Sequence, residues 1–253
     1  MKIALLLFGQ PRNLENPNSF KSHQEWIYDE YDVDTYCHAW WEKGVESYDV
    51  SDWVNEECKA PENPIEVIEE RYKPKSIKVE PPRTFKLSDD LYKRTRDEFG
   101  TEHPWSEKTL SNVSSHLYSI ETAARLIENP NDYDFIIQSR YDNYIHNFPD
   151  LDSMSGNYFY LSDHHPRFPD LMYIFSPKFI ETQFTYGKMD ELAERHFHKF
   201  WEPSAECYKY YNYLDKFFIN QLFPIHLPVR VIRDSTGYGD TSQLPSEYLQ
   251  KLQ

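Results

Sequence analysis

Glycine is scarce, at 7 of 253 residues. So little glycine excludes a Gly-rich phosphate loop and a flexible low-complexity linker. Cysteine is scarce too. Cys37, Cys58 and Cys207 are an odd, widely spaced set with no CxxC pair, which excludes a zinc knuckle and a disulfide framework. Free thiols in a reducing cytoplasm are the expectation. Basic residues are few, 27 Lys and Arg against 42 Asp and Glu, for a net charge of −15. That balance excludes nucleic acid as the main partner, because a phosphate backbone demands a basic face. It also disfavours adsorption on anionic lipid. A phosphate-bearing ligand must therefore be met by a local group of Arg and Lys or by a metal ion. No run approaches the ~18 apolar residues that a membrane-spanning helix needs. The short apolar start ends in Gly9-Gln10-Pro11-Arg12 with no small-residue cleavage site, so it reads as a first buried strand rather than a signal peptide.

Aromatic residues are abundant: 20 Tyr, 16 Phe and 6 Trp supply much of the core. Strands and helices alternate along the chain. Strands are expected at 2–8, 34–40, 76–80, 133–139, 157–161, 171–176 and 229–232. Helices are expected at 19–31, 64–72, 112–128, 177–200 and 204–222, and 83–108 reads as an excursion loop. In the 112–128 helix Val113, Leu117, Ile120, Ala124 and Ile127 recur at three- and four-residue steps, with Ser111 or Asn112 as its cap. One α/β domain over residues 1–253 is expected.

The chemistry concentrates at Phe135-Ile136-Ile137-Gln138-Ser139-Arg140-Tyr141-Asp142, a buried-strand pattern that runs into a cation and a carboxylate. Ligands of α/β domains sit at the carboxyl ends of such strands. Asp142 offers an oxygen ligand for Mn²⁺ or Mg²⁺, and Arg140 offers charge-assisted bonds to phosphate. Equally, the two side chains can simply pair with each other. After the first strand, Gly9 lets the backbone approach a ligand, Gln10 can donate and accept, and Arg12 can reach a phosphate. Asp163 and Asp170 flank a proline turn, and either can serve as a general base. The histidines suggest no metal site: adjacent His164 and His165 point to opposite sides of an extended chain, and His196 and His198 have the wrong spacing for one helical face.

Three segments in order carry a family resemblance: the first strand with Gly9-Gln10-Pro11-Arg12, then Asp32-Val33-Asp34-Thr35-Tyr36-Cys37-His38-Ala39-Trp40, then Tyr133 to Asp142. Together with Ser114-Ser115-x-x-Tyr118-Ser119, Pro169-Asp170-Leu171-Met172-Tyr173-Ile174 and Ser204-Ala205-Glu206, they resemble the GT-A-type glycosyltransferases of bacterial surface polysaccharide synthesis and of large-virus and phage genomes.

The resemblance implies a single GT-A-like, Rossmann-like α/β domain with a mixed central sheet and C-terminal helices, working in the cytoplasm (the host's, if viral). It implies a transferase moving a sugar from a nucleotide-sugar donor to a glycan or other hydroxyl acceptor. Gly9, Gln10, Arg12, Ser115, Arg140 and Asp142 then bind the nucleotide sugar, Asp142 holds Mn²⁺ or Mg²⁺, Asp170 is the base, and Arg230 or Arg233 clamps phosphate. Arg140-Tyr141-Asp142 stands where many such enzymes have Asp-x-Asp, one carboxylate fewer. Two alternatives are a different metal-dependent phosphate-handling enzyme, either a nucleotidyltransferase or a phosphohydrolase using Asp142 and Asp163, and a silent carbohydrate-binding module using Trp40, Trp41, Trp53 and Trp105.

Overall fold

An apolar run with no polar alternation is stable only when both of its faces are covered, and the first strand is shielded in this way. Ile3, Ala4, Leu5, Leu6 and Leu7 are all fully buried. A computed structural model describes residues 1–48, 58, 59, 61–86, 88, 107–162, 171–196 and 204–231. Its strands are β1 Lys2–Gly9, β2 Asp32–Trp40, β3 Ser47–Tyr48, β4 Cys58–Lys59, β5 Ser76–Glu80, β6 Phe135–Arg140, β7 Asn143–Ile145, β8 Phe159–Ser162, β9 Tyr173–Phe175, β10 Leu222–Ile225 and β11 Val229–Val231. Its helices are α1 Pro17–His23, α2 Pro64–Tyr72, α3 Glu107–Arg125, α4 Met189–His196 and α5 Ala205–Leu214.

Seven strands form one sheet in the order β10-β8-β9-β6-β1-β2-β5. β5, β2, β1 and β6 are mutually parallel, and β9 runs antiparallel between β6 and β8. This mixed sheet flanked by helices is the α/β, Rossmann-like architecture expected. Successive side chains of a strand face opposite ways, so β1 feeds two cores. Ile3, Leu5 and Leu7 pack with Cys37, Ala39 and Ile137 on one face, and Ala4 and Leu6 pack with Tyr36 and Ile136 on the other. Leu117, Ile120, Ala123 and Ala124 turn the buried stripe of α3 inward.

Several boundaries differ from the expectation. α3 begins at Glu107, so Ser111 does not cap it; the Ser111 hydroxyl instead accepts from the Phe85 backbone N–H at 2.8 Å. The 177–200 stretch breaks into 3₁₀ turns at Pro177–Gln183 and Tyr186–Lys188 before α4, and 197–203 lie outside the described residues. The 204–222 stretch read as one helix is helical only to Leu214, passes through a 3₁₀ turn at Ile219–Gln221, and leads at Leu222 into β10, a strand that was not expected. The expected last strand forms as β11, but it pairs antiparallel with β7 in a separate small sheet. Cys37 is buried, and burial pushes its thiol up to about 12, which keeps it inert.

Candidate functional site

Parallel register brings the carboxyl ends of four strands to one edge: Gly9 is level with Ala39, Phe8 with Arg140, and Trp40 with Glu80. The loops leaving this edge carry most of the residues singled out from sequence. Gly9 closes β1 with φ of 103°, a conformation that L side chains rarely adopt. A Cβ there would meet nothing within 4 Å, so the backbone angle alone demands glycine.

Arg12, Arg140 and Asp142 converge. Asp142 is 2% exposed. Its Oδ2 accepts from Arg12 Nε at 2.7 Å and from Arg140 Nη2 at 2.8 Å, and its Oδ1 accepts from Arg140 Nε at 2.9 Å. Burial alone pushes a carboxyl up, but Arg140 and Arg12 outweigh it and hold Asp142 well below the usual carboxylate range. The pairing of Arg140 with Asp142, one of two readings open from sequence, is present, and Arg12 joins it.

Buried contacts fix the turn that presents this cluster. The Ser19 hydroxyl lies 2.5 and 2.7 Å from the carbonyl oxygens of Tyr141 and Asn143. The Tyr141 hydroxyl donates to the His38 carbonyl at 3.1 Å. The Asn143 amide donates to Ser139 Oγ at 3.0 Å and to the Leu171 carbonyl at 2.7 Å.

A divalent cation needs several oxygen ligands. Both oxygens of Asp142 are taken by guanidinium groups, and among the described residues no three His, Cys, Asp or Glu side chains gather as a metal site. One carboxylate between two cations, as arranged, does not fit Mn²⁺ or Mg²⁺. Asp163 and Asp170 lie outside the described residues, as do His164, His165, His198 and Arg233, while Arg230 sits in β11.

A second polar array lies behind Gly9. Gly9 N–H donates to Ser119 Oγ at 2.9 Å. That same oxygen lies 2.6 Å from His38 Nδ1, and His38 Nε2 lies 3.1 Å from Glu80 Oε2. The Glu80 carboxylate can only accept, so the neutral imidazole carries its proton on Nε2 and its Nδ1 accepts from the Ser119 hydroxyl, whose oxygen in turn accepts from Gly9. Burial lowers His38 to about 4 against the raising effect of Glu80, so the ring is neutral near pH 7. Serine, histidine and glutamate in a row suggest a nucleophile relay. Ser119 and His38 are both fully buried, however, and the array is a brace between β1, β2, β5 and α3. Sequence reading chose Ser115 from this helix and passed over Ser119. The signal was the Gly9 turn, whose N–H needs an acceptor.

Ser115 instead reaches the cleft. A cavity of about 1140 Å³ opens where β1, β2 and β5 end against the first turns of α3. Gln10 and Ser115 line it together with Arg83, Lys86 and Lys108. Trp40, Tyr48 and Phe85 supply an aromatic wall, and Glu42 and Glu46 an acidic rim. Trp40 is 3% exposed and stacks on Tyr118 at 5.5 Å, so it is a wall residue rather than a surface platform for sugars. The structure thus divides the expected residues: Gln10 and Ser115 meet in the cleft, Arg12, Arg140 and Asp142 meet in the ion cluster, and Gly9 joins β1 to both.

No family model and no curated protein matches the chain. Among solved structures, the glycosyltransferase GlyE of Streptococcus pneumoniae TIGR4 superposes at a TM-score of 0.41 with 9% identity, over 89% of this chain and 45% of GlyE. The chain therefore spans less than half the length of that protein. A likeness this distant carries no weight for activity. Among the described residues, no helix is long and apolar enough to cross a membrane.

Proposed function

We propose that the chain is a glycosyltransferase that seats a nucleotide-sugar donor in the cleft at the ends of β1, β2 and β5 and passes the sugar to a glycan or other hydroxyl acceptor. The observation that carries this reading is the lining itself. In a chain of net charge −15, Arg83, Lys86 and Lys108 collect in one cavity with Gln10 and Ser115 and an aromatic wall. A nucleoside diphosphate asks for that combination: aromatic surface for the base, an amide and a hydroxyl for base and ribose, and cations for the diphosphate.

In the reaction the acceptor loses its proton to a general base, its oxygen bonds the anomeric carbon, and the bond to the diphosphate breaks. Asp170 is the proposed base. Arg12 and Arg140, held in place by Asp142, border the same strand edge and add positive charge for the departing diphosphate.

Thermal shift against UDP, GDP and dTDP and their sugars, with and without Mn²⁺, checks the reading. Stabilisation by at least one nucleotide is expected, followed by sugar turnover once an acceptor is supplied. No shift from any nucleotide sinks it, and a shift without turnover points instead to a silent binding module.

A further inference from the structure

Arg83 follows β5 and is exposed to solvent, yet its guanidinium lies over three aromatic rings. The guanidinium carbon lies 4.5 Å from the ring centroid of Tyr118, 4.9 Å from that of Phe85 and 5.7 Å from that of Trp40. The rings beneath it are themselves fixed. Trp40 stacks on Tyr118 at 27°, Tyr186 meets Phe85 and Tyr118 edge-on at 5.5 and 5.2 Å, and the Phe85 N–H is tied to Ser111 on α3. The Tyr118 hydroxyl donates to Glu80. Arg83 therefore rests on a rigid aromatic shelf.

Among the described residues no carboxylate forms an ion pair with Arg83 on that shelf. Among the described residues Arg12 and Arg140 pair with Asp142, Arg125 with Glu121, and Arg195 with Glu191 and Asp215, while Arg71 donates to the Leu14 carbonyl. Arg83 pairs with no carboxylate among the described residues, although the chain holds 42 Asp and Glu. Ring faces hold a guanidinium by its flat surface and leave its edge of N–H donors unused. Arg83 lines the cleft, and exposed Lys86 shares it.

We infer that Arg83 is the anion receptor of the cleft, its planar fork taking two oxygens of the ligand's diphosphate. The inference deepens the glycosyltransferase reading and rests on it for the identity of the ligand. A fork held flat on rings loses little freedom on binding and reads two oxygens at once, which Lys86 cannot do. A carboxylate on the sugar presents the same pair of oxygens, so the test separates the two sources.

Isothermal titration of the full chain with inorganic pyrophosphate, UDP, uridine and glucuronate, for wild type, Arg83→Gln and Arg83→Lys, decides the matter. Pyrophosphate and UDP affinity is expected to fall about 10- to 100-fold in Arg83→Gln, with uridine unchanged. Arg83→Lys keeps the charge and loses the fork, so an intermediate loss is expected. Binding of glucuronate but not pyrophosphate, lost in Arg83→Gln, keeps the receptor and moves its source to the sugar. Equal affinities in wild type and both variants overturn the inference, as does a wild type that binds neither anion. UDP binding that survives in Arg83→Gln overturns the receptor and leaves the transferase reading standing. Arg83-dependent pyrophosphate binding with no nucleotide-sugar turnover does the reverse. Arg83 is exposed, so both variants are expected to fold, and an unchanged near-UV spectrum verifies that.

Discussion

Arg12 Nε meets Asp142 Oδ2 at 2.7 Å across a sequence separation of 130 residues. The pair fastens the loop after β1 to the turn after β6, and Arg140 closes it from the other side. The strand edge is thus braced by this ion cluster and by the Ser119–His38–Glu80 array behind Gly9.

Breaking that pair is expected to be expensive. Asp142→Asn leaves two largely buried guanidinium groups facing a neutral amide, and removing one partner of a buried ion pair costs about 3–5 kcal/mol. Urea unfolding at pH 7 should show the loss as a lowered midpoint with an unchanged slope. A variant as stable as wild type would falsify the structural role.

The same carboxylate contributes to acid sensitivity. Its folded pKa lies below the ordinary value, so its stabilising contribution is complete above about pH 4 and is lost as pH falls further. His23 and His38 act in a higher window. Burial lowers both to about 4, against a partial raising effect of Ser19 on His23 and of Glu80 on His38. The unfolded chain takes up protons at about pH 6.5 that the native rings refuse. Stability is therefore expected to be full above pH 6.5 and to decline between 6.5 and 4, by several kcal/mol from the two sites together. Urea midpoints at pH 7.5, 6 and 5 test this, and NMR of the two imidazole rings should show no titration above pH 5.

Much of the fold was legible because burial on both faces leaves a plain mark. The apolar runs of β1 and β6 and the three- and four-residue steps of α3 announce themselves without tertiary information. The C-terminal half was less legible. Pro224 in β10 disguises an edge strand, and Pro177 and Gly187 break a stretch whose apolar spacing resembles a helix. In the site, Arg140 and Asp142 are neighbours in sequence, so their pairing was foreseeable. Arg12 joins them only through the β1–β6 register, and His38, Ser119 and Glu80 meet only because β2, α3 and β5 pack together. Arg83 carries no motif at all; its aromatic shelf is assembled from three separate segments.

Ser119→Ala tests the brace. It strips the partly buried Gly9 N–H of its acceptor and the fully buried His38 Nδ1 of its donor. An unsatisfied buried polar group costs about 1–3 kcal/mol, so a stability loss in that range is expected by urea unfolding. If Ser119 were a nucleophile, a serine-directed covalent probe would label it; intact-mass analysis is expected to show no adduct.

Gly9→Ala isolates backbone strain from packing. Space is open around the position, yet φ is 103°, where an L residue costs on the order of 1–3 kcal/mol. Stability should fall by that amount. Nucleotide affinity should fall as well, because the turn that Gly9 makes presents Gln10 to the cleft. Restored stability in 1 M trimethylamine oxide without restored affinity would separate the two effects.

Metal dependence follows from the occupancy of Asp142. For a divalent cation to bind there, two guanidinium groups must give up charge-assisted bonds of 2.7–2.9 Å and then sit beside the new positive charge. In the proposed reading the cations of the cleft, Arg83 and Lys86 among them, offset the diphosphate without a metal. Nucleotide binding is accordingly expected to survive chelation: the thermal shift given by UDP in EDTA should match that in Mn²⁺ within about 1 °C, a small fraction of the several degrees that tight binding produces. A shift that disappears in EDTA and returns with Mn²⁺ would mean that Asp142 trades its arginines for a metal when ligand arrives. In that case Arg12→Lys, which weakens the competing pair, should raise the apparent Mn²⁺ affinity.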